Sequence, residues 1–321
     1  MHRLLAALFL LCWVSPAFGQ KADGPRALDY DAKAPLDTQD AGADFRGDVG
    51  IYDLSYASPK GGRVSAYLVV PPGKGPFAAI IWGHWCWPNS KYRNRKEFLD
   101  EAVALAPSGV ASLLIDFPIA RPGYSAGADP LEGKQIDELV QQVVDIRRGA
   151  DLLVSRPFVD SKRLAYVGHS CGATAGGVVS GSDKRFRAFV LMAGGLSDQL
   201  ELNTPEFQEF RAKLGPEKVD AFVRKNSWAD PAKFVSHAAP ATVFLQYATQ
   251  ENFLTPDLAK ATAAIVSEPK QFKLYEAPHA LNAEARRDRI AFLAQTLQFK
   301  PPAPEVIAAI PDLPQPPEPK P

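Results

Sequence analysis

The chain has 321 residues, 46% of them hydrophobic, which is enough to bury one large core. Its 36 basic and 36 acidic residues cancel, so it offers no electrostatic footprint for nucleic acid. Beyond the first residues no apolar stretch approaches membrane-spanning length, which sets aside membrane partners.

Residues 1–19 read as a secretory signal peptide. Met1-His2-Arg3 gives a positive start, 4–14 an apolar run too short to span a bilayer, and Ala17-Phe18-Gly19 a small-x-small cleavage site. A secreted or periplasmic protein is expected, and losing Arg3 leaves it close to neutral. Cys12 leaves with the leader. Cys86 and Cys171 remain in an oxidising compartment, an even number that permits one disulfide and demands none.

Residues 20–48 are polar and irregular and read as an N-terminal extension. From 49 the pattern becomes regular. Strands over 51–56 and 63–70 alternate like an antiparallel pair around Ser58-Pro59-Lys60-Gly61-Gly62. The continuous apolar run 77–82 fits a strand covered on both faces. Helix and strand then alternate: helix 96–106, strand 110–116, helix 133–155, strand 163–167, a small-residue helix from 173, and strand 188–192. Strand 241–247, helix 257–266, strand 271–275 and helix 283–298 follow. The pattern predicts an α/β fold spanning 49–299, with a mostly parallel twisted sheet of about eight strands and helices on both faces.

Residues 194–240 are too many for a simple crossover. Helical stretches over 205–214 and 217–225 make them either a small lid-like helical insertion or an extended connection packed on one side. Residues 300–321 hold nine prolines and are expected to form an extended or disordered tail.

The chemistry centres on Gly168-His169-Ser170-Cys171-Gly172, between the strand-like 164–167 and the helix that follows. That is the pattern of a nucleophile elbow, with glycines letting strand and helix approach closely. A serine alcohol needs a base within hydrogen-bond reach and backbone donors for the developing oxyanion. In this architecture an acid and then a histidine follow the serine. His84 and His169 precede Ser170, and His237 ends the insertion. His279, in the loop between the last strand and the last helix, is the expected base. Glu251, the sole acid in the turn after 241–247, is the expected carboxylate, with Glu276 second.

Cys171 should supply one oxyanion amide, and the loop 83–87 the other, with Trp85 preferred over Cys86. Because both cysteines lie on segments converging there, they form either a Cys86–Cys171 bridge that fixes the loop or two small buried thiols. Trp87, with His84 and His169, is expected to line an apolar or ring-binding substrate pocket, while Trp82 belongs to the core.

On Ser170, Glu251 and His279, the run Arg156-Pro-Phe-Val-Asp160 and His279-Ala-Leu-Asn282, the chain resembles the α/β-hydrolase superfamily. Within it, the chain is similar to the dienelactone-hydrolase-like and prolyl-oligopeptidase-like branch over about residues 49–298. Serine stands here where dienelactone hydrolases use cysteine. The resemblance implies a serine carboxylesterase working through an acyl-enzyme on a small or polymer-linked ester, with no metal and no organic cofactor. A serine peptidase and a catalytically silent binding protein of the same fold are the alternatives.

Overall fold

The computed structural model describes residues 24–314 except 88, 126, 252 and 253. The leader 1–19 and the tail residues 315–321 lie outside the described residues.

Among the described residues nine strands form one sheet: β1 (Gln39–Arg46), β2 (Val49–Ala57), β3 (Arg63–Val70), β4 (Phe77–Gly83), β5 (Val110–Ile115), β6 (Val159–His169), β7 (Phe186–Met192), β8 (Thr242–Ala248) and β9 (Lys270–Tyr275). Their order across the sheet is β1-β2-β3-β5-β4-β6-β7-β8-β9. The pairs β1/β2, β2/β3 and β3/β5 are antiparallel, and every later pair is parallel. All six residues of β5 are buried, as continuous apolar runs require when both faces are covered.

Ten helices accompany the sheet among the described residues: α1 (Leu99–Leu105), α2 (Lys134–Val154), α3 (Cys171–Ser182), α4 (Asp198–Glu201), α5 (Pro205–Leu214), α6 (Pro216–Asn226), α7 (Ala232–Val235), α8 (Pro256–Ile265), α9 (Ala283–Leu297) and α10 (Pro304–Ala308). One sheet face is covered by the apolar stripes of α2 (Val143, Ile146, Ala150), α3 (Ala175, Val179) and α8 (Ala259, Ala263). The other is covered by α1 (Ala102, Leu105) and α9 (Ile290, Leu293, Leu297). Spacings of three and four residues put each set on one helical face. Asn282 caps α9 by accepting from the Ala285 amide at 3.0 Å.

Besides shifts of element ends, such as β6 beginning at Val159 where a strand from 163 is expected, the sequence pattern and the structure differ as follows. The expected irregular extension contains β1, whose residues are all exposed, so no alternation of apolar and polar side chains marks it. The helix expected from 96 begins at Leu99. The proline-rich tail is structured over its first part: α10 forms behind Pro304, and Ile307 and Ile310 are buried against the α1/α9 core. Proline at the first helical turn costs no hydrogen bond, so its abundance does not preclude a short helix there.

Register positions the site. Gly83 pairs with Gly168, His169 with Met192, Met192 with Gln246 and Ala248 with Tyr275. Strands β4, β6, β7, β8 and β9 thus end together, and the loops after them share one edge, where ligands bind in open α/β sheets.

Candidate active site

Ser170 sits between β6 and α3 with φ 55° and ψ −119°. A non-glycine residue in that region is strained, and the turn is held by hydrogen bonds on both sides: Ser170 N donates to Met192 O at 2.8 Å, and Thr174 N donates to Ser170 O at 3.0 Å. The flanking glycines are sterically required. A Cβ on Gly168 would lie 2.4 Å from Gly172 O, and one on Gly172 would lie 2.4 Å from Gly83 O.

His279 and Glu251 meet across two neighbouring loops. Backbone bonds from Thr249 to Tyr275 O (2.9 Å) and from Gln250 to Ala277 O (3.1 Å) fasten the loops together. Glu251 Oε1 then lies 3.0 Å from His279 Nδ1, with both side chains buried. Burial pulls the His279 imidazole below its ordinary range, opposed by the hydrogen bond to Glu251. Glu276, the second candidate, is exposed on the approach to this loop.

The elbow and the His279 loop are tied together by His169. Its Nε2 lies 2.9 Å from His279 O, and its ring stacks on that of His279 with centroids 5.0 Å apart. The ring of His169 also stacks against Trp85 at 5.1 Å, and Trp85 in turn lies 6.2 Å from His279. The substrate-wall role expected of His169 therefore does not hold: the ring is wholly buried between protein groups. His84 departs from expectation in the same way. It accepts from Phe117 N at Nε2 (3.0 Å), which makes Nδ1 the donor to Trp85 O (2.6 Å). Burial brings its pKa down to about 4, and the ring braces the loop from inside. Trp87 does flank the site, with its ring centroid 4.9 Å from that of His279.

The loop after β4 corrects a further expectation. The Trp85 amide, expected to complete an oxyanion hole, donates to Glu97 Oε2 at 2.5 Å, so its proton is already engaged. The next residue, Cys86, is joined by a disulfide to Cys171, the first residue of α3, with Cα atoms 5.7 Å apart. Glu97 is a site neighbour that sequence inspection missed. Its position, two residues before α1, reads as an ordinary helix start, and only its buried partners mark it.

Chemically, the arrangement offers an alcohol on a strained turn, an imidazole oriented by a carboxylate, and a loop covalently fixed beside the helix that follows the alcohol. Among the described residues no cluster of three or more His, Cys, Asp or Glu is placed to hold a metal ion, and no helix is long and apolar enough to cross a membrane.

No family model matches the chain. Among curated proteins it is similar to polyketide transferase ATR5 of Stachybotrys chlorohalonatus, 23% identical over 77% of this chain and 95% of that one. Among solved structures it superposes on an acetyl xylan esterase from Paenibacillus sp. R4 with a TM-score of 0.66 and 20% identity, covering 82% of this chain and 89% of the other. Acetyl xylan esterase 1 from Thermoanaerobacterium sp. JW/SL YS485 superposes with a TM-score of 0.68 and 17% identity, covering 84% and 91%. At these identities the likeness establishes the fold, which is that of the α/β-hydrolase-type esterases.

Proposed function

We propose that the protein is a serine carboxylesterase in which Ser170 is the nucleophile, His279 the general base and Glu251 the residue that orients and balances the imidazole. The observation that carries this is the buried Glu251–His279 pair, 3.0 Å apart, on loops that abut a strained Ser170 elbow through His169. Attack of Ser170 Oγ on the ester carbonyl carbon forms a tetrahedral oxyanion while His279 Nε2 takes the serine proton. Collapse breaks the ester C–O bond, the alcohol leaves with that proton, and an acyl-serine remains. Water, deprotonated by the same imidazole, releases the carboxylic acid.

The Cys171 amide supplies one oxyanion donor. With Trp85 committed to Glu97, the Cys86 amide is the assigned second donor. Trp87 beside His279 gives the pocket an apolar wall. The likeness to acetyl xylan esterases favours small acyl groups, including those borne on polymers, as substrates. The helices between β7 and β8 act as a lid-like cover on the strand-end side. Export fits both the leader-like residues 1–19 and a disulfide that persists in oxidising compartments.

Turnover of p-nitrophenyl acetate beside a peptide p-nitroanilide, with a fluorophosphonate label, tests the assignment. Ester hydrolysis and labelling, both lost in Ser170→Ala, are expected. Amide cleavage would favour a peptidase, and neither activity nor labelling would leave a binding protein.

A further inference from the structure

Beneath the triad lies a buried polar pair that the reaction above does not use. The side chains of Glu97 and His169 are both fully excluded from solvent, with Glu97 Oε1 2.6 Å from His169 Nδ1. Hydrogen-bond bookkeeping fixes most of the protons. His169 Nε2 faces the carbonyl oxygen of His279, which can only accept, so Nε2 carries a hydrogen. Glu97 Oε2 accepts the Trp85 amide. One proton is left for the line between Oε1 and Nδ1. Placed on Nδ1, it creates a buried imidazolium stacked 5.0 Å from the His279 ring, which must itself become positive during the proposed reaction. Placed on Oε1, it leaves both groups neutral and every donor matched to an acceptor.

The surroundings favour the second arrangement. The guanidinium of Arg289 is engaged by both carboxylate oxygens of Glu101, which balances its charge. Burial raises the Glu97 carboxyl well above its ordinary range and brings His169 down to about 4.

We propose that Glu97 and His169 form an uncharged hydrogen-bonded bridge from the Trp85 amide to the His279 carbonyl. The bridge holds the oxyanion loop and the base-bearing loop in one register and keeps a second positive charge away from the working imidazole. The inference rests on His279 being the base, as assigned above. Neither bridge residue touches the reacting atoms, so both are positioning residues.

The bridge makes a specific demand on position 97. A glutamine there presents a carbonyl oxygen to Trp85 N and an amide hydrogen to His169 Nδ1, the same pattern with no proton to lose. In the full chain, with p-nitrophenyl acetate as substrate, Glu97→Gln is expected to keep kcat within about threefold of wild type and to keep its pH profile. Glu97→Leu, which matches the bulk but not the bonding, should lower kcat by about ten- to a hundredfold with KM within about twofold, because misplacement by an ångström costs that much. Nitrogen-15 spectra of the histidines, which need no activity, should find His169 neutral and protonated at Nε2 from about pH 5.5 to 8 in wild type and Glu97→Gln.

A doubly protonated His169 at neutral pH would overturn the bridge. So would a folded Glu97→Leu at wild-type rate, or a Glu97→Gln crippled a hundredfold. If Glu97→Leu does not fold, the glutamine variant and the spectra still decide. Absence of ester turnover in the wild type would overturn the esterase assignment instead, so the two failures are told apart.

Discussion

Glu251 Oε1 stands 3.0 Å from Nδ1 of His279, and 2% and 1% of the two side chains are exposed. A carboxylate so placed favours the tautomer with its proton on Nδ1 and its lone pair on Nε2, and balances the charge that forms when Nε2 is protonated. Glu251→Gln should therefore lower kcat by as much as about ten-thousandfold, the loss that follows when a triad acid becomes an amide. The exposed Glu276, replaced by glutamine, should leave the rate within about twofold. Initial rates on p-nitrophenyl acetate check both, and equal rates in Glu251→Gln and wild type would move the role elsewhere.

Ser170 and His279 are expected to act as a unit. Ser170→Ala and His279→Ala should each cost several orders of magnitude in kcat, and the double variant little more, since a nucleophile and its base fail together. Single-turnover assays on the three variants provide the comparison. Losses that multiply would mean that the two side chains work independently.

The pH dependence follows from burial. Desolvation depresses the His279 pKa, and the bond to Glu251 only partly restores it. A general base works in its neutral form, so if His279 is the base, as proposed, kcat/KM should hold through neutrality and fall on the acid side with an apparent pKa below the ordinary histidine value of about 6.5. In the same window the unfolded chain binds the proton that the native imidazole refuses, so this residue's share of stability also drops as pH falls. An acid limb centred above pH 7 would contradict the assignment.

The Cys86–Cys171 bridge closes a loop across a sequence separation of 85. Restricting the unfolded chain over that length is worth roughly 2–5 kcal/mol. Reduction, or the Cys86→Ser/Cys171→Ser pair, should shift the urea midpoint down accordingly and lower kcat as the two proposed oxyanion amides drift apart. Thiol titration beside the unfolding curve gives the measurement, and an unmoved midpoint after complete reduction would refute it.

Glu201 lies beside a cavity of about 240 Å³ lined by Leu202, Phe207, Val219 and Phe222, with Asp198 and Asp230 nearby. Burial first, and those two carboxyls second, raise its pKa to about 7. The native state therefore holds a proton that the unfolded state gives up above about pH 4.5, and stability from this group declines as pH rises from there to about 7. Glu201→Gln removes that decline. It should be near neutral at pH 4.5 and stabilise by about 1–3 kcal/mol at pH 8. Urea midpoints at the two pH values check the sign, which would be reversed if Glu201 were held ionised by an ion pair.

The sheet was legible because its strands are apolar runs, and the elbow because two glycines and a serine have one sterically sensible arrangement. The contact between Glu251 and His279 could be anticipated from chain order and from Glu251 being the sole acid in the turn after 241–247, with Glu276 as the alternative. What escaped depended on direction rather than composition. A backbone N–H such as that of Trp85 leaves no trace in sequence of which way it points, and here it turns inward to Glu97. His84 and His169 resembled pocket residues because polar rings near a serine usually are. Only their filled hydrogen bonds place them in the interior. Strand β1 escaped because a strand exposed on both faces carries no alternation.

Leu313 packs against the cluster of Trp85, Trp87 and Ala280, and Asp312 pairs with Arg286 of α9 at 2.9 Å. Translation delivers this stretch after everything it supports. The elbow can thus form before the residues that brace Trp87 and the loop around Ala280 have docked. Any turnover the site carries should accordingly need residue 313 seated, wherever the chain folds.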